Sequence, residues 1–186
     1  MRITGGRLRG LTLASVGKGD PKAALRPTTD RVRESLFSIL TYGPHGDVLT
    51  GARVLDLFAG TGALGLEALS RGAVHATFID KGRAARALIL QNIERARAEA
   101  ETRFLFRDAT RFGPADAPGA SLVFCDPPYG RGLGGGALTA ARTAGWIAPG
   151  ALAVLEDRGR AEPPEGFTLA DTRSYGDTTL SFLHAE

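Results

Sequence analysis

Val54-Leu55-Asp56-Leu57-Phe58-Ala59-Gly60-Thr61-Gly62 is the stretch on which the fold turns. An apolar run of strand length carries one carboxylate and then meets two glycines separated by a single residue. Residues 62–71 follow with helical character. Glycines at a strand-to-helix turn let the backbone approach a ligand closely and adopt φ values closed to other residues. In an open parallel sheet, ligands bind beyond the carboxyl ends of the strands. The stretch therefore predicts a strand–turn–helix unit with a small-molecule site at the turn.

Outward from this unit, strand and helix signals alternate. Residues 53–58, 76–80, 102–107, 121–125 and 151–156 read as strands, and 62–71, 82–99 and 137–147 as helices, the last stopped by Pro149-Gly150. Nearly continuous apolar strands interleaved with helices predict a mostly parallel sheet covered on both faces. At the end, 167–175 and 178–183 flank Gly176-Asp177 with no helix between them, which reads as an antiparallel β-hairpin. Arg131-Gly132-Leu133-Gly134-Gly135-Gly136 reads as a mobile loop. Before the sheet, residues 1–27 suit a strand pair and loop. A helix then begins at Thr28-Thr29-Asp30, with Val32, Leu36, Ile39 and Leu40 as its apolar stripe. Arg31 and Arg33 occupy its first turn, where the macrodipole disfavours cations, which points either to an anion facing them or to an offset by Asp30 and Glu34. The expected organisation is one domain over 1–186, with a basic arm and helix in 1–50 and an α/β core in 51–186.

Composition narrows the classes. A hydrophobic share of 43% and a charged share of 23% suit a soluble globular chain, and no apolar run approaches a membrane span. The start of the chain lacks the apolar core of a signal peptide, so the cytoplasm is the expected location. His45, His75 and His184 show no metal-ligand spacing, and no metal is expected. Cys125, alone in the chain, reads as strand packing rather than a nucleophile, and Trp146 and Tyr42 likewise as packing. Eight basic and three acidic residues in 1–35 give that segment +5, leaving −2 for the rest of a chain of net charge +3. A basic arm on a near-neutral body suits a phosphate-rich partner.

Four strands end in or beside an aspartate: Asp56, Asp80, Asp108 and Asp126. Carboxylates gathered on one rim repel one another unless cations or hydroxyls engage them. Gly60-Thr61-Gly62-Ala63-Leu64-Gly65 matches G-x-G-x-x-G, and Asp80 follows Gly60 at the spacing of a dinucleotide enzyme. Asp56, however, would face the pyrophosphate of NAD, whereas it would welcome an ammonium or sulfonium. S-adenosyl-L-methionine carries both of these cations and a ribose but no phosphate, and the acidic rim favours it.

Asp126-Pro127-Pro128-Tyr129 leaves the strand 121–125. Each proline fixes its φ and removes a donor, so the loop offers a carboxylate, rigid carbonyls and a flat ring. That set suits a planar group bearing an –NH2. The same residues also form an ordinary strand stop and turn.

Asp56 to Gly62, followed by Asp126 to Tyr129, resembles the S-adenosylmethionine-dependent amino-methyltransferases. Three further stretches resemble the bacterial 16S ribosomal RNA guanine-N2 methyltransferases, the RsmD family: Ile3 to Gly10, Arg26 to Glu34, and Gly65 to Ala73. Tyr175-Gly176 fits too. This resemblance implies a Rossmann-like, seven-stranded methyltransferase fold that modifies guanine N2 in 16S rRNA or an assembling small subunit. It implies a cofactor site in which Gly60 and Gly62 line the methionine part and Asp56 lies near its amino group. Asp80 and the adjacent Lys81 would serve the ribose, Asp108 with Ala109 the adenine edge, and Phe58 a wall. Thr28, Thr29 and Arg33 become candidates for the cofactor's carboxylate end. Asp126 and Pro127 would accept the amine hydrogens, Tyr129 would stack on the base, Pro128 would line the substrate side, and Arg7, Arg9 and Lys22 would meet RNA. A monomer is expected, with no membrane partner. Methylation of adenine N6 or of a glutamine amide would use the same chemistry. An RNA-binding subunit without catalysis and a dinucleotide-dependent oxidoreductase are the readings from other classes.

Overall fold

A computed structural model describes residues 1–15, 30–128, 132–159 and 162–186. Along the chain run α1 (Asp30–Tyr42), β1 (Arg53–Leu57), α2 (Ala63–Ser70), β2 (His75–Asp80), α3 (Arg83–Ala96), β3 (Thr102–Phe106), β4 (Ala120–Cys125), α4 (Leu133–Thr143), β5 (Ile147–Asp157), β6 (Phe167–Tyr175) and β7 (Thr178–Ala185). The strands form one seven-stranded sheet in the order β3-β2-β1-β4-β5-β7-β6. β1 through β5 pair in parallel, and β7 lies antiparallel between β5 and β6. The expected parallel sheet with a terminal hairpin is the fold observed.

Alternate strand residues supply two cores because successive side chains point to opposite faces. Val54, Phe78, Leu122, Phe124, Val154 and Phe182 pack under α1, α2 and α3, which contribute Leu36, Phe37, Leu66, Leu69, Ile89 and Ile93. Leu55, Leu57, Ile79, Val123 and Leu155 pack under α4 through Ala137, Leu138 and Ala141. Among the described residues no helix is long and apolar enough to cross a membrane.

Three expectations change. Residues 133–136 are not a mobile loop but the first turn of α4, and Gly134 is buried there. A Cβ on Gly134 would stand 2.4 Å from Leu155 Cδ1 and 3.3 Å from Pro127 Cγ, so this glycine lets α4 close onto β5 and onto the 126–128 turn. The helix also ends earlier than 147. Gly145, at φ 83°, follows its last turn. Its N–H reaches the Arg142 carbonyl and the Trp146 N–H the Ala141 carbonyl, both at 2.9 Å, the paired bonds of a Schellman stop. Ile147 then opens β5, opposite Ala120, and Pro149-Gly150 lies inside a strand irregularity. α3 ends at Ala96, short of residue 99, because Arg97 takes a left-handed conformation at φ 52°.

The N-terminal segment forms a short hairpin closed by an antiparallel bridge between Arg2 and Thr12, and it is tied to α2. Glu67 is fully buried and accepts from the Thr4 N–H (2.8 Å), the Thr4 hydroxyl (2.7 Å), the Gly5 N–H (2.9 Å) and Arg71 Nε (2.9 Å). Arg33, 1% exposed, sets Nε 3.7 Å from the same carboxylate and donates to the Arg2 carbonyl. The anion that Arg33 faces is thus one of the protein's own. Farther along, Asn92 on α3 accepts from the Ala14 N–H (2.7 Å) and donates to the carbonyls of Ala14 (3.1 Å) and Thr61 (2.9 Å). The arm is thereby anchored beside the glycine turn.

Candidate active site at the carboxyl rim of the sheet

The turn after β1 is built under strain. Phe58 takes φ 58°, in the left-handed region. For a residue with a Cβ this costs on the order of 1–2 kcal/mol. The turn is held by the Ala59 N–H donating to the Ile79 carbonyl (3.1 Å) and by the Gly60 N–H donating to Asp80 Oδ2 (2.9 Å). Strain retained at the mouth of a sheet marks a functional site more often than an accident. Gly65, in the first turn of α2, gives its N–H to Asp56 Oδ2 at 3.0 Å. A Cβ on Gly65 would meet Phe78 Cε1 at 2.4 Å, so this last glycine of the motif serves close packing.

The four aspartates differ in how they are satisfied. Asp108 accepts from Lys81 Nζ (2.7 Å) and from the Thr110 N–H (2.9 Å) and hydroxyl (2.7 Å). Lys81 and Thr110 hold its carboxyl well below the ordinary range. Asp80 accepts the N–H groups of Gly60 and Gly82 (2.7 Å), one on each oxygen. Asp56 is 2% exposed and has only the Gly65 N–H among the described residues. Burial, with repulsion from Asp80 added, pushes its pKa up to about 8. Asp126 leaves β4 with its own N–H bonded weakly to the Leu57 carbonyl (3.4 Å), and no described donor reaches its carboxylate. Its pKa is raised well above the ordinary value by burial, then by Glu156 and Asp56.

Glu156, 7% exposed near the end of β5, is the rim acid that sequence reading passed over. The strand register brings it to the rim: Cys125 pairs with Leu155, so the acids that follow each of them are neighbours. Cys125 is buried, and burial pushes its thiol up, which fits packing rather than nucleophilic work. No group of three or more His, Cys, Asp and Glu able to hold a metal occurs among the described residues.

Of the remaining candidates, Ala109 and Pro127 are buried at the rim, whereas Pro128 is exposed. Arg9 is exposed, and Arg7 is engaged with Glu101 in a surface ion pair. Arg33 is drawn to Glu67 rather than to the aspartates by its described contacts. Thr28, Thr29, Lys22 and Tyr129 lie outside the described residues.

Two carboxylates with raised pKa values and few donors, Asp56 and Asp126, form a site that wants a cation, and Asp80 at its edge can share its oxygens with hydroxyls. Those requirements fit the ammonium, sulfonium and ribose of S-adenosylmethionine, and they repel a pyrophosphate. The family model described as conserved hypothetical protein 95 matches residues 1–184. The chain belongs to that family, the RsmD methyltransferases. It is therefore an S-adenosylmethionine-dependent methyltransferase. Ribosomal RNA small subunit methyltransferase D of Escherichia coli K12 is 40% identical over 189 residues, covering 100% of this chain and 90% of that protein. Its namesake in Haemophilus influenzae is 31% identical over 182 residues, covering 95% of this chain and 89% of that one. Among solved structures, yhhF of Escherichia coli superposes with a TM-score of 0.81 at 36% identity, covering 100% of this chain and 98% of that one.

Proposed function

We propose that this methyltransferase modifies the exocyclic N2 amine of a guanine in 16S ribosomal RNA, acting as a monomer in the cytoplasm. The observation that carries the amine reading is the Asp126 carboxylate: half-buried at the rim, without a described donor, and fixed between β4 and the rigid Pro127. The RNA reading rests on relatives named as small-subunit rRNA methyltransferases.

S-adenosylmethionine, when bound, supplies an electrophilic methyl on a sulfonium. Asp56 would hold its ammonium, Asp80 its ribose hydroxyls and Asp108 with Ala109 its adenine edge, while Phe58 and the glycine turn would form the wall. A cation among these carboxylates restores the ionised forms of Asp56 and Asp126 that burial alone disfavours. Asp126 and the Pro127 carbonyl then accept the two N–H bonds of the amine and draw its lone pair out of conjugation. Holding nitrogen and methyl in near-attack geometry, about 3–3.5 Å apart, supplies much of the acceleration. Asp126 would take the surplus proton from the amine nitrogen once it carries the methyl group, a task its raised pKa suits. Tyr129 stacks on the base, worth about 1–3 kcal/mol, comparable to the cost of unstacking it. Arg9, Lys22 and Arg7 supply phosphate contacts.

The deciding experiment transfers a labelled methyl group to naked 16S RNA and to small-subunit particles, followed by nucleoside mapping. N2-methylguanine is expected. N6-methyladenine or methylated glutamine as the product would replace guanine as the substrate while keeping the amine chemistry.

A further inference from the structure

β3 is an edge of the sheet, and its last residue, Phe106, is 49% exposed. Arg86 of α3 lays its guanidinium over one face of that ring, Cζ 5.7 Å from the centroid. Arg83, one turn earlier on α3, is exposed, and Leu90, one turn later, is 45% exposed. Lys81 extends the same edge toward the cofactor rim, 66% exposed although paired with Asp108. Among the described residues neither Arg83 nor Arg86 has a carboxylate within ion-pair distance. The first turn of α3 contains no acid, although acids belong there and cations do not. Two arginines placed against a helix dipole, beside a large aromatic ring left half open, are poorly explained by stability.

We propose that this α3–β3 edge, centred on Phe106, Arg83 and Arg86, is a second RNA-docking surface that takes phosphates flanking the target and stacks one unpaired base on Phe106. The inference rests on the RNA reading above and adds a surface separate from the N-terminal arm. Arginine planes and aromatic rings are how proteins hold splayed-out bases of single-stranded RNA, and charge of one sign suits its backbone. The location suits it too. β3 stands three strands from β4, roughly 14 Å at a spacing of about 4.8 Å per strand, and both end on the same rim. An RNA delivering its base to Asp126 has this edge within a few nucleotides' reach.

The test compares the parent with Arg83→Glu/Arg86→Glu and with Phe106→Ala, using a fluorescein-labelled 16S RNA fragment that contains the mapped target. Anisotropy is read from 50 to 200 mM salt. The double variant is expected to weaken binding by tenfold or more and to lower the slope of log K against log salt by about 1.4, two single-strand phosphate contacts. Phe106→Ala is expected to cost about tenfold with the slope retained, and Phe106→Tyr to restore it. S-adenosylmethionine affinity, measured by calorimetry, should hold in all three variants, and KM for RNA should rise while kcat is kept. Parental RNA affinity and slope in the folded variants would overturn the proposal, as would a parallel loss of cofactor affinity. A parent protein that fails to bind RNA at all would instead strike the reading on which the proposal stands.

Discussion

Glu67, buried on α2, and Asp126, half-buried where the chain leaves β4, are both acids drawn into the protein, yet their surroundings are opposites. Glu67 is saturated: Thr4 and Gly5 donate to it, Arg71 bonds it, and Arg33 stands beside it. Asp126 has no described donor to its carboxylate and two further acids, Glu156 and Asp56, acting against its charge. A carboxylate built to hold the fold is surrounded by donors before any ligand arrives. One built to work is left in deficit, and the deficit is what a bound cation and amine correct. The pair separates stability from chemistry within one family of residues.

The sharpest way to break the comparison is Glu67→Ala. It removes the carboxylate that two arginines and two backbone donors share, and breaking a buried ion pair from one side costs about 3–5 kcal/mol. Urea unfolding should show that loss, and a shift below about 1 kcal/mol would put Glu67 in the same class as Asp126. Asp126→Asn should do the reverse, lowering kcat by about 10²–10³-fold, the usual cost of removing one transition-state hydrogen-bond partner. Its unfolding midpoint should stay level or rise. A fall in stability with turnover intact would invert the assignment.

Asp56 sharpens the contrast through pH. Its carboxyl is raised from 3.8 to about 8 in the folded chain, so the folded state holds the proton more tightly. Its contribution to stability is complete below about pH 4 and is withdrawn as pH climbs through about 8. The cofactor-free protein should therefore lose stability across that window, and Asp56→Asn should flatten the curve. Binding of S-adenosylmethionine near pH 7 should release protons, readable by calorimetry in buffers of different ionisation enthalpy. The smallest effect belongs to Arg7, whose exposed pair with Glu101 is worth less than about 1 kcal/mol. Arg7→Ala should leave stability nearly unchanged and lower the RNA salt slope by about 0.7.

Most of the sheet was legible because continuous apolar runs bounded by aspartates and glycines leave little choice of element. The glycine turn, the acid rim and the terminal hairpin followed from the same pattern. Gly134 was misread because glycine at a close helix–strand contact looks the same in sequence as glycine in a loop. Only the approach of Leu155 distinguishes them. Glu67 was quoted as part of a motif but not as a hub, since the Thr4 and Gly5 donors that bury it come from residues 62 and 63 positions away. That Arg33 faces an anion was one of two readings, and charge pattern alone could not tell a protein carboxylate from a ligand. Glu156 needed the β4–β5 register before it could be seen as the neighbour of Asp126.

The placement of β7 has a consequence in time rather than in space. Residues 178–185 are translated after β6 yet lie between β5 and β6 in the finished sheet. Until they emerge from the ribosome, β5 presents an open edge and β6 has no strand to pair with. At synthesis rates of about 5–20 residues per second, that interval lasts roughly seconds, long enough for exposed edges to invite misassembly. The β1–β4 half, which carries the cofactor turn and Asp126, can close its parallel ladders first. The sheet is sealed last by a strand threaded into its interior, so maturation of this enzyme is gated by the arrival of eight residues, one of which, Leu180, pairs with the rim acid Glu156.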